Sequence, residues 1–316
     1  MAEGRALVLR AIKTVAAAGD RVRPPGPGVV VLIYHRVGGG SGTEVDLSPT
    51  AFDEQMAWLA ASGRVVTLDA AVDLLAGAAT GAAGAGERGA PAAGERGAPA
   101  AGERGVAAAG AGGPATGAVG GGDAPDDPVV VTFDDGTADL ADVATPILVR
   151  HGVPATVYLA TRYVDEGIAF PDDGTPLSWA AVRDMASTGL VTFGSHTHGH
   201  LLLDRLPPAE AAAELDRSRE LIEREVGVPA HHFAYPKAVP ASPEVEPLVR
   251  RRFRSAALGG NRPNPVGRTD LHRLWRTAVQ VSDGNAYFVR KARGGMVLED
   301  TIRRAVNRVR YRAAVG

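Results

Sequence analysis

The chain has no cysteine among its 316 residues. Disulfides, thiolate metal sites and cysteine nucleophiles are all excluded, so any metal must be held by His, Asp, Glu and water. A strong charge of one sign is missing as well: the formal net charge is −2, which gives no general attraction to nucleic acid or an acidic membrane. Nor is there any long apolar run. No stretch approaches the roughly 18–20 apolar residues needed to span a bilayer. In residues 1–26, MAEGRALVLRAIKTVAAAGDRVRPPG, Arg and Lys interrupt every short apolar run, so the segment does not read as a signal peptide. The expectation is a cytoplasmic protein without a transmembrane segment. The C-terminal LEDTIRRAVNRVRYRAA clusters Arg on a helix with Leu298, Ile302 and Val306. It reads as a helix packed on the domain with a solvated basic face, rather than one resting on an anionic membrane.

Large apolar residues are absent from one region only. Residues 76–127 are built from Ala, Gly, Pro, Glu and Arg, with the unit GERGAPAA recurring from Gly86 and Gly94 and decaying after Gly102. A short repeat without large apolar residues cannot stack into a core, and its glycines interrupt any alanine helix. It reads as a disordered insertion. Elsewhere, hydrophobic residues at 45% of the chain suffice for a substantial core. The chain then divides into an N-terminal segment (1–28), a first part of a catalytic domain (29–75), the insertion (76–127), the main part of the domain (128–284) and C-terminal helices (285–316).

Around the insertion, short apolar strands alternate with amphipathic helices. GVVVLIYHRV reads as a buried strand, and SPTAFDEQMAWLAASG as a helix with Phe52, Met56 and Leu59 on one face and Ser48-Pro49 at its start. RVVTLDAAVDLLAG adds a short strand and a helix. These elements are too few for an independent core, so they belong to one domain with the strands and helices beyond the insertion. PVVVTF, PATVYLA, LVTFGSH, HHFAYP, RSAALGG and LWRTAVQV read as strands. DLADVATPILVRHG, SWAAVRDMASTG, PPAEAAAELDRSRELIEREVG and SPEVEPLVRRRF read as helices between them, with further helices over Asn285–Ala292 and Leu298–Ala313. This alternation predicts an α/β fold with a mostly parallel sheet, open or closed into a barrel, and ligand sites at the carboxyl ends of the strands.

Those strand ends carry the chemistry. In VVVTFDDGTADL a buried strand runs into two adjacent carboxylates, Asp134 and Asp135, which repel each other and resist desolvation unless compensated. Another strand ends in GSHTHGH, bringing His196, His198 and His200 to the same rim, and a third ends in FAYPK. Two imidazoles and one carboxylate around a divalent ion leave positions open for water and substrate. A second carboxylate, close to the ion but unbound, can take a proton.

VTFDDG and SHTHGH together resemble the first and second motifs of the polysaccharide deacetylase family (the NodB-homology domain, carbohydrate esterase family 4 type). YHRV with LSPTAFDEQMAWLAASG, and FAYPK, resemble further stretches of one large subgroup, and the resemblance runs from Val29 to Val281, broken by the insertion. It implies a distorted (β/α) barrel holding a divalent metal, commonly zinc. Asp135, His196 and His200 would be its ligands and Asp134 the catalytic base. The implied reaction is hydrolysis of an N-acetyl, less often O-acetyl, group on a sugar or glycoconjugate by metal-bound water.

Two departures stand out. Where the family often has Arg-x-Pro-Tyr, this chain has Tyr235, Pro236 and Lys237, which leaves a backbone amide for the oxyanion but no Arg to support the base. Arg276 in LWRTAV is the candidate replacement. The usual general-acid His lies in a Leu-x-His context, and the candidate here is His272 in DLHRLW. His35 reads as a hydrogen-bonded structural residue, His198 as solvent-facing, His231 and His232 as loop residues, and Trp179 and Trp275 as core. The altered third motif keeps two other readings open: a related metal-dependent amidohydrolase of deformylase or cyclic-amide type, and a non-catalytic carbohydrate-binding relative.

Overall fold

The computed structural model describes residues 2–22, 24–77 and 127–302. The repeat region over 78–126 and the continuation of the C-terminal helix past residue 302 lie outside the described residues. Among the described residues no helix is long and apolar enough to cross a membrane.

Seven strands form one sheet: β1 (Val30–Tyr34), β2 (Val129–Phe133), β3 (Ala155–Leu159), β4 (Val191–Ser195), β5 (His232–Ala234), β6 (Ser255–Ala257) and β7 (Arg276–Ala278). Their order is β6-β5-β4-β3-β2-β1-β7, and every neighbouring pair is parallel. Leu274 N donates to Ala256 O (3.0 Å), Leu258 N to Leu274 O (2.7 Å) and Gly260 N to Arg276 O (2.8 Å). The chain entering β7 therefore also pairs with β6, and the sheet returns on itself as a nearly closed barrel. The expected parallel β/α barrel is the fold found. β1 and β2 lie side by side, with Val30 opposite Val129, although the repeat region separates them in sequence.

Strand periodicity sorts the side chains into two layers. Val30, Leu32 and Tyr34 of β1 and Val129, Val131 and Phe133 of β2 face outward under the helices, in the larger core. Val31, Val130 and Tyr158 face the lumen, together with Ala234, Ala257 and Leu274. The outer layer is closed by α2 (Pro49–Ser62), whose Ser48 cap accepts a hydrogen bond from Ala51 N. Phe52, Met56 and Leu59 of α2 are buried as their spacing predicts, and Phe52 meets Tyr34 and Phe133 at ring distances of 5.3 and 5.8 Å. The lower end of the lumen is plugged by α3 (Leu68–Leu75) through Leu68, Ala71, Val72 and Leu75.

The remaining helices are α4 (Thr145–His151), α5 (Thr161–Glu166), α6 (Trp179–Ser187), α7 (Pro208–Val226), α8 (Glu246–Arg252) and α9 (Gly284–Ala292), with a further helical stretch over 297–302. The short strand expected in RVV is a single bridge, Val65 to Val129. Two helices were not expected: the short α5, and Ala2–Val22, which forms α1. Its inner side carries Lys13 and Ala16, both fully buried, so a charged residue sits where an apolar one would have signalled a helix.

Candidate active site at the strand ends

The lumen-facing parity continues past the ends of the strands. Along β2, Val130 and Thr132 face inward and Asp134 comes next on the same side. Along β4, Gly194 faces inward and His196 comes next. The turn after β2 then reverses sharply: Asp135 takes φ +73° and Gly136 φ +100°. A non-glycine residue there costs backbone energy, and the result is that Asp135 faces the histidines rather than the core. Thr197 and His200 adopt similar left-handed conformations (φ +64° and +57°), folding the loop so that His200 returns over the lumen. Glu214 of α7 pins that loop by accepting from Gly199 N at 2.6 Å.

One ligand atom each from Asp135, His196 and His200 lies within 4.8 Å of the others. Asp135 Oδ1 is 3.8 Å from His196 Nε2 and 3.5 Å from His200 Nε2. His196 Nδ1 donates to the Ala234 carbonyl at 2.7 Å, which leaves the Nε2 lone pair facing the other two ligands. A carbonyl-oriented imidazole of this kind is the usual support for a metal ligand. Burial, reinforced by neighbouring His196, pushes the His200 pKa down to about 4, so it is neutral, the ligating form, at neutral pH. The donor set, its spacing and its protonation fit a divalent ion of the zinc type.

Asp134 is held differently. Arg276, 1% exposed, crosses the lumen from the start of β7 and grips the Asp134 carboxylate with both terminal nitrogens, Nη1 to Oδ1 at 2.6 Å and Nη2 to Oδ2 at 2.8 Å. Arg276 also donates to Leu258 O and Thr132 Oγ1, each at 3.3 Å. Burial alone would raise the Asp134 pKa; the guanidinium, with help from His196 and His35, holds it well below the usual carboxylate range instead. Oδ2 of Asp134 stands 4.0 Å from His196 Nε2, beside the ligand triad but outside it.

Asp134, Asp135, His196, His200, Lys237 and Arg276 line one cavity of about 720 Å3. Three other candidates do not. His272 is turned away: its Nε2 bonds the Phe253 carbonyl at 2.8 Å, before the start of β6, and its own N–H is capped by Asp270. It lies in the short turn that leads into β7 rather than at a strand end, so it is no acid for this site. Tyr235 points outward, its ring against Phe233 and its hydroxyl donating to Glu246 Oε2 at 3.3 Å. Past Tyr235 and Pro236 the cavity is lined by exposed Lys237, where φ is +53°, and by Ala238 and Pro240.

His35 departs from expectation in the opposite sense. It lines the cavity, and its buried Nδ1 makes no hydrogen bond among the described residues. Its position at the end of β1 was the signal for this. His198 is half-buried and bonded to Thr161 (3.0 Å), while His232 is a buried strand residue between Asp69 (3.1 Å) and Ser255 (2.9 Å). Another hollow, about 760 Å3, lies between α1 and the helical stretch at 297–302. Its lining is largely proline and valine, without a ligand cluster, so the chemistry belongs to the barrel rim.

The rim tolerates little added volume. A Cβ on Gly194 would come within 2.7 Å of both the His232 carbonyl and the Tyr158 ring. Gly194→Ala is expected to cost about 1–3 kcal/mol and to displace His196 two residues on. A lowered melting midpoint with reduced metal content would show it; a variant normal in both would mean that the lumen adapts.

A parallel barrel that gathers two histidines and one carboxylate at its rim, beside a separately held buried carboxylate, can hold a divalent ion next to a free base. Residues 121–244 match the family model described as polysaccharide deacetylase. Poly-beta-1,6-N-acetyl-D-glucosamine N-deacetylase of Staphylococcus epidermidis is 31% identical over 111 residues, covering 34% of this chain and 37% of that protein. The chain spans about a third of the length of the curated relatives it matches. Among solved structures, the Streptococcus pyogenes deacetylase PplD in complex with acetate superposes with a TM-score of 0.62 at 17% identity, covering 85% of this chain and 99% of that one. IcaB from Ammonifex degensii gives 0.60 at 22% identity, covering 85% and 98%. At these identities the two structures establish the shared barrel.

Proposed function

We propose that the chain is a metal-dependent hydrolase that removes an acetyl group, most directly an N-acetyl group, from a sugar or glycoconjugate. The observation that carries this reading is the division of labour between adjacent carboxylates. Asp135 joins His196 and His200, while Asp134 is excluded from that cluster and clamped by Arg276. A binding protein has no need of a buried, charged, separately held carboxylate beside a ligand triad. The N-acetylglucosamine deacetylase among the relatives supports the choice of acyl group.

Asp135, His196 and His200 would hold the ion. A divalent ion there, zinc by the donor set, supplies Lewis acidity, making a water more acidic and polarising an acyl oxygen. Asp134 receives the proton lost by the attacking water. Its oxygens are engaged by Arg276, but each carboxylate oxygen has a second lone pair, and Oδ2 is the one nearest the triad. Arg276 keeps the base ionised and fixed in direction. The backbone amide of Lys237, at the cavity wall, would support the oxyanion. His35, which lines the cavity, takes the role first considered for His272 and would carry a proton to the departing amine.

The decisive measurement is metal content of the purified protein beside Asp135→Ala, His196→Ala and His200→Ala, with acetate release from N-acetylglucosamine oligomers in the same samples. Near-stoichiometric metal and acetate release, both removed by each substitution, is the expected result. Full activity in metal-stripped protein, or no acetate from any acetylated sugar, would end the reading.

A further inference from the structure

Part of the cavity wall comes from segments far from the metal cluster. Asn261 lies just after β6, Trp275 immediately precedes β7, and Asp300 comes from the helical stretch at 297–302. Behind this wall lie four charged side chains almost without solvent: Lys13, Asp283, Lys291 and Glu299, each at most 2% exposed. Lys13 pairs with Asp283 and, at 3.0 Å, with Glu299. Lys291 pairs with Asp283 at 2.8 Å and Glu299 at 3.2 Å. Two cations face two anions, and they come from α1, the turn before α9, α9 itself and the stretch at 297–302. The cluster reaches the cavity through Asn261, whose Nδ2 donates to Glu299 Oε2 and to Met296 O, both at 3.3 Å. Asp300 is the next residue along the chain.

Burying four charges is an expensive way to join helices, since apolar residues of the same volume would serve stability as well or better. What such a network provides is a single geometry. The segments it orients bring Asn261, whose Nδ2 is turned back to the network, and Asp300 to the cavity wall beside the ring of Trp275. Arg262 lies over that ring, 3.7 Å from its centroid. With Arg262 on that ring, recognition falls to the polar groups: a carboxylate and an amide oxygen in a cavity wall suit the hydroxyl donors of a pyranose.

We infer that Asn261, Trp275 and Asp300 form the carbohydrate-recognition subsite of this cavity, and that Lys13 of the N-terminal helix is a positioning residue for it, acting through Glu299. This rests on the deacetylase reading for the sugar's identity. The helix α1 then belongs to the specificity machinery, although it lies outside the stretch that resembles the family.

The test is equilibrium binding of an N-acetylglucosamine tetramer, with acetate release, metal content and melting midpoint measured on the same preparations. Asp300→Asn, at a half-buried position that tolerates the change, and Asn261→Ala should each weaken binding about tenfold while metal content stays at the wild-type level. Lys13→Met should raise KM for the tetramer more than it lowers kcat, and Lys13→Arg should recover most of the loss. Unchanged binding in Asp300→Asn and Asn261→Ala overturns the subsite. Parallel losses of kcat, metal and melting midpoint in Lys13→Met, without recovery in Lys13→Arg, overturn the positioning role. A wild-type protein that binds the tetramer, loses that binding on Asp300→Asn and releases no acetate would keep the subsite and sink the deacetylase reading. Acetate release with Asp300→Asn binding unchanged would do the reverse.

Discussion

Asp134→Asn is expected to lower turnover by about 10²–10⁴-fold, the usual contribution of a positioned general base, while the protein still takes up its divalent ion. The carboxamide matches the carboxylate in shape but cannot accept a proton, and Asp134 is not among the three residues that converge on one ion position. Acetate release and metal content in one preparation separate the possible roles. Metal lost in step with activity would make Asp134 a ligand, and undiminished turnover would make Arg276–Asp134 a structural pair. Asp135→Asn supplies the contrast, because there the metal is expected to go first.

The difference between these neighbours was only half visible in the sequence. That both carboxylates sit at a strand end is implied by the run of β-branched residues before them. That Asp134 continues the inward parity of Val130 and Thr132 is a consequence of strand geometry. The turn of Asp135 into φ +73° is dictated by neither; it depends on a backbone conformation that composition does not announce. The histidines were similarly legible as a group. Which of the three converge with Asp135 depends on the left-handed residues at Thr197 and His200, and His198 is carried to Thr161 instead.

Long-range partners were legible to the extent that residue chemistry is restrictive. A buried carboxylate needs a cation, and Arg276 at the start of an expected strand was a reasonable source; the structure places it on Asp134 from the far side of the lumen. His272 failed because residue type was matched without regard to which end of the strand it occupies. It precedes β7 and falls beside Phe253, whereas His35 comes after β1 and falls in the cavity. The rule that sites gather at carboxyl ends favoured His35 all along. α1 was missed for a different reason: its buried face includes Lys13, whose partners Asp283 and Glu299 are far away in sequence, and no local pattern can show that this lysine is inside.

Arg276→Met is expected to be the most damaging single change to stability, about 3–5 kcal/mol, because it leaves a carboxylate buried without its counter-charge. In the wild type Asp134 titrates below its unfolded value near 3.9, which contributes stability above that pH and loses it as pH falls through the lower folded value. In Arg276→Met the burial remains and the guanidinium is gone, so the folded pKa moves above the unfolded one. The penalty is then full at neutral pH and fades in acid, where a protonated Asp134 needs no partner. Urea unfolding of metal-stripped protein should show the gap between wild type and variant widest near pH 7, narrowing towards pH 4 as the variant's penalty fades, and closing only in stronger acid, where Asp134 of the wild type protonates too. The double variant Asp134→Asn/Arg276→Met should lose less than the sum of the single changes, by about 0.5–3 kcal/mol, since it removes both charges together. Strict additivity, with a gap independent of pH, would show that the two groups do not hold one another and that the base is kept ionised by something else.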